Sequence, residues 1–276
     1  MSELEAAQSD IVATCGSLAA PCEWKLDWYA TAPDITQLKV WVALLDADSR
    51  RLERAARRDE ACTRIVAMLD AARMLTQLSR LDTQQSAARL AWQAVQRADS
   101  FLPLSADAAR ATKIRDAVTA LATAQNLAWA QCVQTEQIRW VSRPQDRVKA
   151  GCDGASLYQS ARSESAAIIS KSNEYPLSRL RGEELLVEMR AAAPYFLAVA
   201  QAWGATDATS QLAALSARAE RGEFGAWIAA ARPDFGAIRG ELNRTRATLD
   251  ALKDAASVRA KPVPPPSTAV SPSLPR

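Results

Sequence analysis

The segment ITQLKVWVALLDADSRRLERAARRDEACTRIVAMLDAA, residues 35–72, decides the fold of this chain. Apolar residues recur along it at helical spacing, namely Ile35, Leu38, Val42, Leu45, Leu52, Ala56, Cys62, Ile65, Leu69 and Ala72. This spacing places them on one face of a helix, and that face must be buried against other helices. Between Ala56 and Cys62 the stripe drifts by about one residue, which favours packed bundle helices over a long supercoiled dimer.

The sequence around this segment lacks helix-breaking residues. No glycine occurs between Gly16 and Gly151, and no proline occurs between Pro33 and Pro103. Because each missing breaker removes a place where a helix would have to stop, we expect long helices here. They are predicted near residues 3–16, 34–80, 82–101 and 105–142, with the charge cluster RRLERAARRDE (50–60) as a place where the second helix can break.

From residue 143 the character of the sequence changes. The stretch RPQDRVKAGCDGA (143–155) contains Pro144, Gly151 and Gly154 and is predicted to be a connection. Shorter helices are predicted after it, near residues 155–173, 178–203 with a kink at Pro194, 208–221, 223–231 and 234–258. No alternating strand pattern occurs, so the predicted fold class is all-α, a bundle of long antiparallel helices followed by a shorter-helix region.

These changes in composition divide the chain into three predicted regions. Residues 1–142 form the long-helix bundle, and residues 143–258 form a shorter-helix region packed on or beside it. The last region, RAKPVPPPSTAVSPSLPR (259–276), is rich in proline and poor in large apolar side chains. It cannot bury enough surface to offset its ordering entropy, so we expect a disordered tail.

One local motif resembles a known repeat. The segment ALSARAERGEFGAWIAAARPDF (214–235) resembles the helix-turn-helix of a tetratricopeptide repeat, with Gly222, Phe224 and Pro233 in place of its glycine, aromatic residue and closing proline. That family repeats the motif about every 34 residues, and no second copy occurs at this period. We therefore interpret the segment as a local helical hairpin.

The composition restricts the chemistry available to the protein. The sequence contains no histidine, which excludes Ser-His-Asp triads, Cys-His dyads and HExxH zinc sites. Carboxylates such as Glu183 and Glu184 lie near Arg181 and Arg190, a pattern typical of a solvated helix face. The sequence therefore predicts no catalytic, metal-binding or cofactor-binding residue, and we expect a protein that is not an enzyme and has no cofactor.

Charge and hydropathy indicate which partners to expect. The 34 basic and 31 acidic residues are mixed along the chain and give a net charge of +3, which argues against a nucleic acid partner. No stretch approaches the roughly 18 apolar residues of a transmembrane segment. The N-terminus, MSELEAAQSDIVATC, is acidic where a signal peptide is basic. We expect a cytoplasmic protein as written, or a periplasmic or secreted one if a signal sequence was removed.

The stretch CGSLAAPCEWKLDWYA (15–30) supplies the candidate site residues. A loop between Cys15 and Cys22 allows a disulfide worth about 2–3 kcal/mol, although free cysteines acting as small core residues are the favoured alternative. A second bridge, between Cys132 and Cys152, would require the chain to run back along its helix. The aromatic side chains Trp24, Trp28 and Tyr29 are a candidate contact surface, or they close over one end of the bundle.

Two functions are consistent with these patterns. Extended helical faces without catalytic groups favour a non-enzymatic interaction or scaffolding protein, for example a bacterial assembly or secretion accessory factor. Its partner would be another protein or a second copy of the chain. The alternative is a disulfide-containing envelope or periplasmic helical bundle that senses or binds a small ligand.

Overall fold

A computed structural model of the chain describes residues 9–13, 35–76, 78, 80–104, 107–164 and 178–260, without the side chains of 125–130 and 161–164. The described residues form helices and contain no strand, which confirms the predicted all-α class. The helices are α1 (Thr36–Arg54), α2 (Arg58–Thr76), α3 (Leu81–Phe101), α4 (Ala108–Gln137), α5 (Arg143–Lys149), α6 (Gly154–Glu164), α7 (Glu183–Trp203), α8 (Ala208–Glu220), α9 (Gly225–Ala230) and α10 (Phe235–Ala260). A 3₁₀ turn, Leu102–Leu104, follows α3, and a π-helical segment, Ile138–Ser142, joins α4 to α5.

The predicted helix 34–80 is two helices that break inside the charge cluster. The break is a Schellman motif, in which Ala56 N–H donates to Glu53 O at 3.0 Å and Arg57 N–H donates to Leu52 O at 2.9 Å. Ala56 takes the left-handed conformation, with φ of 59°, at the position where such motifs usually have glycine. The same hydrogen bonds end α5 at Gly151 and α8 at Gly222.

The prediction that residues 143–155 form a connection is wrong for their first half. The helix continues from α4 through the π-helical segment into α5 and ends at Lys149. Pro144 lies inside this continuous helical stretch, where it cannot donate to the carbonyl of Trp140, and the side chain of Trp227 donates to that carbonyl instead. Residues 142 and 143 are thus joined by helical backbone. The predicted boundary between a long-helix bundle (1–142) and a shorter-helix region (143–258) stays a prediction.

Helices α1 to α4 and the last turns of α10 enclose the first core. This core is built from alanine and aliphatic side chains, with Phe101 also fully buried in it. Its larger members include Leu38, Val42, Leu45 and Leu52 of α1, Ile65, Met68, Leu69 and Leu75 of α2, Leu90 and Val95 of α3, Ile114, Val118 and Leu121 of α4, and Leu249 and Leu252 of α10.

Ion pairs between helices lie inside the first core. The Asp48 carboxylate, whose side chain is 0% exposed, accepts from Arg51 at 2.8 Å and from Arg64 of α2 at 2.9 Å. Arg97 of α3 donates to Ser49 Oγ at 2.7 Å and pairs with Glu53. The polar residues on the inner face of α1 therefore bond to both neighbouring helices.

The second core lies among the later helices and is rich in aromatic side chains. Its larger members are Leu81, Cys132, Val133, Trp140, Val141, Val148, Leu157, Tyr158, Leu185, Met189, Tyr195, Phe196, Val199, Trp203, Leu212, Leu215, Phe224, Trp227, Ile228, Phe235, Ile238 and Leu242. Tyr195 packs edge-on to Phe196 at 5.4 Å between ring centroids, and Trp203 and Phe235 meet at 6.4 Å. Such tilted contacts are the favoured geometry for aromatic pairs.

Helix α10 links the two cores. Its first turns place Phe235, Ile238 and Leu242 in the second core, and its last turns reach the first core while packing along α3 and α4. The hairpin predicted at 214–235 is confirmed as α8 and α9, joined at Gly222. Helix α10 continues to Ala260, two residues beyond the predicted end, and the remaining tail, 261–276, lies outside the described residues.

Within the ranges that the structure describes, none of the helices combines the length and apolar character needed to cross a bilayer.

Candidate functional site

The site residues predicted from the sequence lie outside the described part of the chain. Cys15, Cys22, Trp24, Trp28 and Tyr29 all fall between residues 14 and 34. The disulfide and the aromatic contact surface therefore stay predictions.

The other three cysteines are described, and all are free thiols. Cys62 and Cys132 are buried and Cys152 is partly buried, so the structure does not form the bridge considered between Cys132 and Cys152. Burial raises the pKa of the Cys62 thiol to about 11 and raises that of Cys132 well above its ordinary value. Both buried thiols are neutral at physiological pH and act as small core residues.

A cleft opens where the helical segment 138–149 passes α6 and α9. Its lining consists of Arg139, Trp140, Arg143, Pro144, Arg147, Leu157, Ser160 and Trp227. We call it the arginine cleft. The interior that a water-sized sphere can enter is about 20 Å³, so the cleft has room for about one water molecule. Apolar and cationic side chains both line it.

Pro144 and Trp227 explain how the walls of the arginine cleft are held. Pro144 has no N–H to donate to the carbonyl of Trp140, four residues earlier. The indole Nε1–H of Trp227 donates to that carbonyl at 2.6 Å. The two indole rings lie 6.3 Å apart. Helix α9 is thereby bonded to the irregular backbone of the π-helical segment, and π-helical segments often occur at functional sites.

The three arginines of the cleft follow one another at four-residue intervals. Arg147 is oriented by hydrogen bonds to Ser160 Oγ, at 2.6 Å, and to Cys152 Sγ, at 3.7 Å. Arg139 lies over the ring of Trp140, 5.5 Å from its centroid. The guanidinium groups of Arg139 and Arg147 are thus held in place by neighbouring side chains of the protein itself.

A buried carboxylate stands behind the arginine cleft. Glu136 is 1% exposed, and its Oε1 accepts from the backbone N–H of Leu81 at 3.0 Å. Its Oε2 accepts from Trp140 Nε1–H at 2.8 Å and lies 3.8 Å from Arg139. Glu136 therefore caps the first turn of α3 and fixes the orientation of a cleft wall at the same time.

The two acidic groups of this region differ in their titration. Burial raises the pKa of Glu136 above its ordinary value, although the Arg139 charge and the two N–H donors favour the ionised form. Burial also acts to raise the pKa of Asp82, but hydrogen bonds and charge from Arg80, helped by Arg139, outweigh it and lower that pKa. Asp82 is thus the ionised partner of these arginines at neutral pH.

A second feature is an exposed apolar stripe on α7, which we call the α7 face. It is formed by Val187, Ala191, Pro194 and Leu197, at intervals that place them on one side of the helix. Val187 is 52% exposed and Leu197 is 62% exposed. No charged residue occurs in the sequence between Arg190 and Asp207. The outer side of α7 is therefore free of charge from Ala191 onward, whereas Val187 lies beside the exposed ion pair of Glu183 with Arg190.

Two patterns in the sequence correspond to the arginine cleft and to the α7 face. The four-residue spacing of Arg139, Arg143 and Arg147 is visible in it, as is the charge-free run that follows Arg190. The contribution of Trp227 was not visible, because it lies 87 residues from the carbonyl that it bonds. In the charge cluster 50–60, Arg57 pairs with the nearby Glu60, whereas Asp59 pairs with Arg110 of α4.

Comparison with known proteins identifies no relative. No protein-family model matches the chain, and it matches neither a curated protein nor a solved structure. Within the described residues, no group of three or more acidic or cysteine side chains is placed to hold a metal ion.

Proposed function

We propose that the protein is a non-enzymatic helical interaction protein that binds a helix of another protein through the α7 face. The observation that carries the proposal is the exposure of Val187 and Leu197 on one side of α7, which carries no charge from Ala191 onward. Full burial of one such side chain contributes about 1.5–3 kcal/mol. A contiguous apolar patch on a folded protein usually marks a contact site, whereas single exposed apolar residues need no explanation.

The chemistry of the α7 face specifies its partner. Ala191 is a small residue between larger ones, so an apolar side chain of a partner helix fits above it. The face begins beside the exposed carboxylates Glu183 and Glu184 and continues without charge toward Trp203. A complementary helix is therefore amphipathic, with an apolar stripe and a basic residue at the end that meets these carboxylates.

Photo-crosslinking tests this proposal in living cells of the source organism. A photoreactive amino acid in place of Ala191 is expected to give a defined adduct with a partner protein. Leu197→Glu should abolish the adduct, because it puts a charge on the apolar face. Val258→Glu is the matched control, since Val258 is exposed to 68% but stands alone beside the charged Arg259. Both positions are exposed, so neither substitution should unfold the protein.

The identity of the adduct decides between partners. An adduct with a different protein supports the proposal, and an adduct of the chain with itself replaces it with self-association. The absence of a defined adduct, or an adduct that survives Leu197→Glu, contradicts it. The alternative of an envelope or periplasmic ligand-binding bundle remains a proposal, and its disulfide lies outside the described residues.

A further inference from the structure

We infer that a groove between α3 and α10 is a binding site for a small aromatic carboxylate, a molecule with one flat ring and one carboxylate group. Six residues line this groove, namely Ala88, Arg89, Trp92, Glu241, Arg244 and Thr245. We call it the α3–α10 groove. It shares no residue with the α7 face or with the arginine cleft, so the inference does not depend on the proposed function.

The α3–α10 groove has room for one aromatic ring and a polar group. A water-sized sphere can enter about 290 Å³ of it, whereas the arginine cleft admits about one water molecule. This volume lies near the lower end of the range for small-molecule sites, which is roughly 300–1,000 Å³. The groove therefore selects a compact ligand.

The walls of the groove suit a flat apolar ring. Trp92 is 44% exposed, although indole side chains are mostly buried in folded proteins. Ala88 and Thr245 are buried and form the floor. Within the described part of the chain, no aromatic ring or guanidinium group stacks on Trp92, and no residue accepts a hydrogen bond from its indole N–H. The indole is thus available to stack on the ring of a ligand.

The two arginines of the groove differ in their partners. Arg89 donates to Glu241 Oε1 at 3.2 Å, and Gln85 donates to Glu241 Oε2 at 3.2 Å. The Glu241 carboxylate is thereby engaged by the protein itself, and the charge of Arg89 offsets its charge. Arg244 is exposed, and its guanidinium has no hydrogen-bond or ion-pair partner among the described residues. A carboxylate can neutralise this remaining positive charge through paired N–H donors.

A ring and a carboxylate together match the two groups that the protein leaves without partners. A simple anion would contact Arg244 and leave the indole of Trp92 exposed. A neutral aromatic molecule would cover Trp92 and leave the Arg244 charge unpaired. An aromatic cation would stack on Trp92 but would meet Arg244 with like charge. Because both side chains line one groove of single-ring size, one small aromatic carboxylate can contact both.

The test is a titration of the full-length, ¹⁵N-labelled protein with benzoate at constant ionic strength, followed by NMR. The indole N–H resonance of Trp92, identified by its absence from Trp92→Phe, should shift along one saturating curve. Two matched ligands keep the ring and change the charge. Benzamide is neutral and benzylammonium is positive, so both should bind more weakly than benzoate does.

Three substitutions locate the binding determinants. Arg244→Gln is expected to weaken benzoate binding about two- to fivefold, the factor typical of an exposed ion pair. Arg246→Gln is the matched control, because Arg246 lies on the same helix but does not line the groove. Glu241→Gln should strengthen benzoate binding several-fold, because it removes a carboxylate from the groove and releases Arg89. Such a gain cannot arise from partial unfolding.

Each outcome decides for or against the inference. The absence of a saturating shift, unchanged binding by Arg244→Gln, or weaker binding by Glu241→Gln contradicts it. Tighter binding of benzylammonium than of benzoate also contradicts it and makes Glu241 the determinant of a cation site. The other indole resonances in the same spectra report the folding of each variant. If a variant loses them, the unmodified protein still decides, since equal affinity for benzoate and benzamide contradicts the inference.

Discussion

The first core and the second core solve the same packing problem with different side chains. In the first core, alanine and aliphatic residues on long helices allow close approach, and buried ion pairs such as Asp48 with Arg64 join neighbouring helices. In the second core, large aromatic residues pack between α7, α9 and α10, and polar atoms of such side chains bond to irregular backbone, as Trp227 does to the carbonyl of Trp140.

This difference shows where each region obtains its specificity. Small aliphatic side chains can slide past one another, so charged groups at defined positions select one helix register. Large rings fill the space between helices in few arrangements, and each indole or phenol needs a partner in the core. Tyr195, for example, donates from its hydroxyl to the carbonyl of Pro233 at 3.3 Å. Four substitutions test this comparison.

The largest effect is expected from Asp48→Ala in the first core. Removing this carboxylate leaves Arg64, which is 12% exposed, without its buried partner. Breaking a buried ion pair from one side typically costs about 3–5 kcal/mol in the free energy of unfolding. Urea denaturation measures the change. Asp116→Ala is the control, because Asp116 is 63% exposed and pairs with its neighbour Arg115, so about 0–1 kcal/mol is expected there.

A loss for Asp48→Ala no greater than that of the exposed control would show that the first core does not depend on its ion pairs. The comparison between the two cores would then rest on side-chain size alone.

An intermediate effect is expected from Glu136→Gln, which removes the carboxylate that joins α3 to Trp140. One Gln oxygen can replace Oε1 at the N–H of Leu81, but the amide NH₂ then faces the indole N–H of Trp140. The unsatisfied donor should cost about 1–3 kcal/mol. Glu183→Gln, at an exposed position of α7, is the control.

The loss of stability caused by Glu136→Gln should depend on pH in a defined direction. The folded protein holds the pKa of Glu136 above its unfolded value, so between these two values the folded state binds more protons than the unfolded state. The contribution of Glu136 to the free energy of unfolding is therefore largest at a pH below its pKa in the unfolded chain. It declines as the pH rises through its pKa in the folded protein. The difference in unfolding free energy between the unmodified protein and Glu136→Gln should shrink from acid toward neutral pH. A difference that grows over this range contradicts the assignment.

The smallest effect is expected at the helix ends. Ala56 and Gly222 occupy the same left-handed position of the same motif, one in each region. Ala56→Gly should stabilise the protein by about 0.5–1 kcal/mol, because glycine takes positive φ without steric cost. Gly222→Ala should destabilise it by a similar amount. Thermal unfolding of the two variants measures both changes in stability. If both substitutions stabilised the protein, or both destabilised it, this explanation would be contradicted.

Much of the fold could be predicted from the sequence because its helices are strongly periodic. The predicted starts of α3, α8 and α10 agree with the structure to within one residue. The exceptions have local causes. The break at Ala56 has no glycine or proline to mark it, although its Schellman hydrogen bonds are local. The helix through Pro144 continues with the Trp140 carbonyl bonded by Trp227, a tertiary contact that outweighs the local preference.

The candidate sites were predictable to different degrees. The spacing of Arg139, Arg143 and Arg147 shows that they share a helix face, yet the sequence does not show whether that face meets solvent or a second wall. Ser160 and Trp227 supply that wall from α6 and α9. Likewise, the charge-free run of α7 is compatible with complete burial, and the structure shows that Val187 and Leu197 are exposed.

The sequence by itself determined that this protein is helical, where most of its helices begin and end, and which sides of them are apolar, because these properties depend on residues within a few turns of one another. The tertiary structure decided which helix ends meet, that α10 reaches both cores, and that a cationic cleft forms beside a buried glutamate. These features depend on contacts between residues far apart in the chain, whose free energies appear when the helices pack.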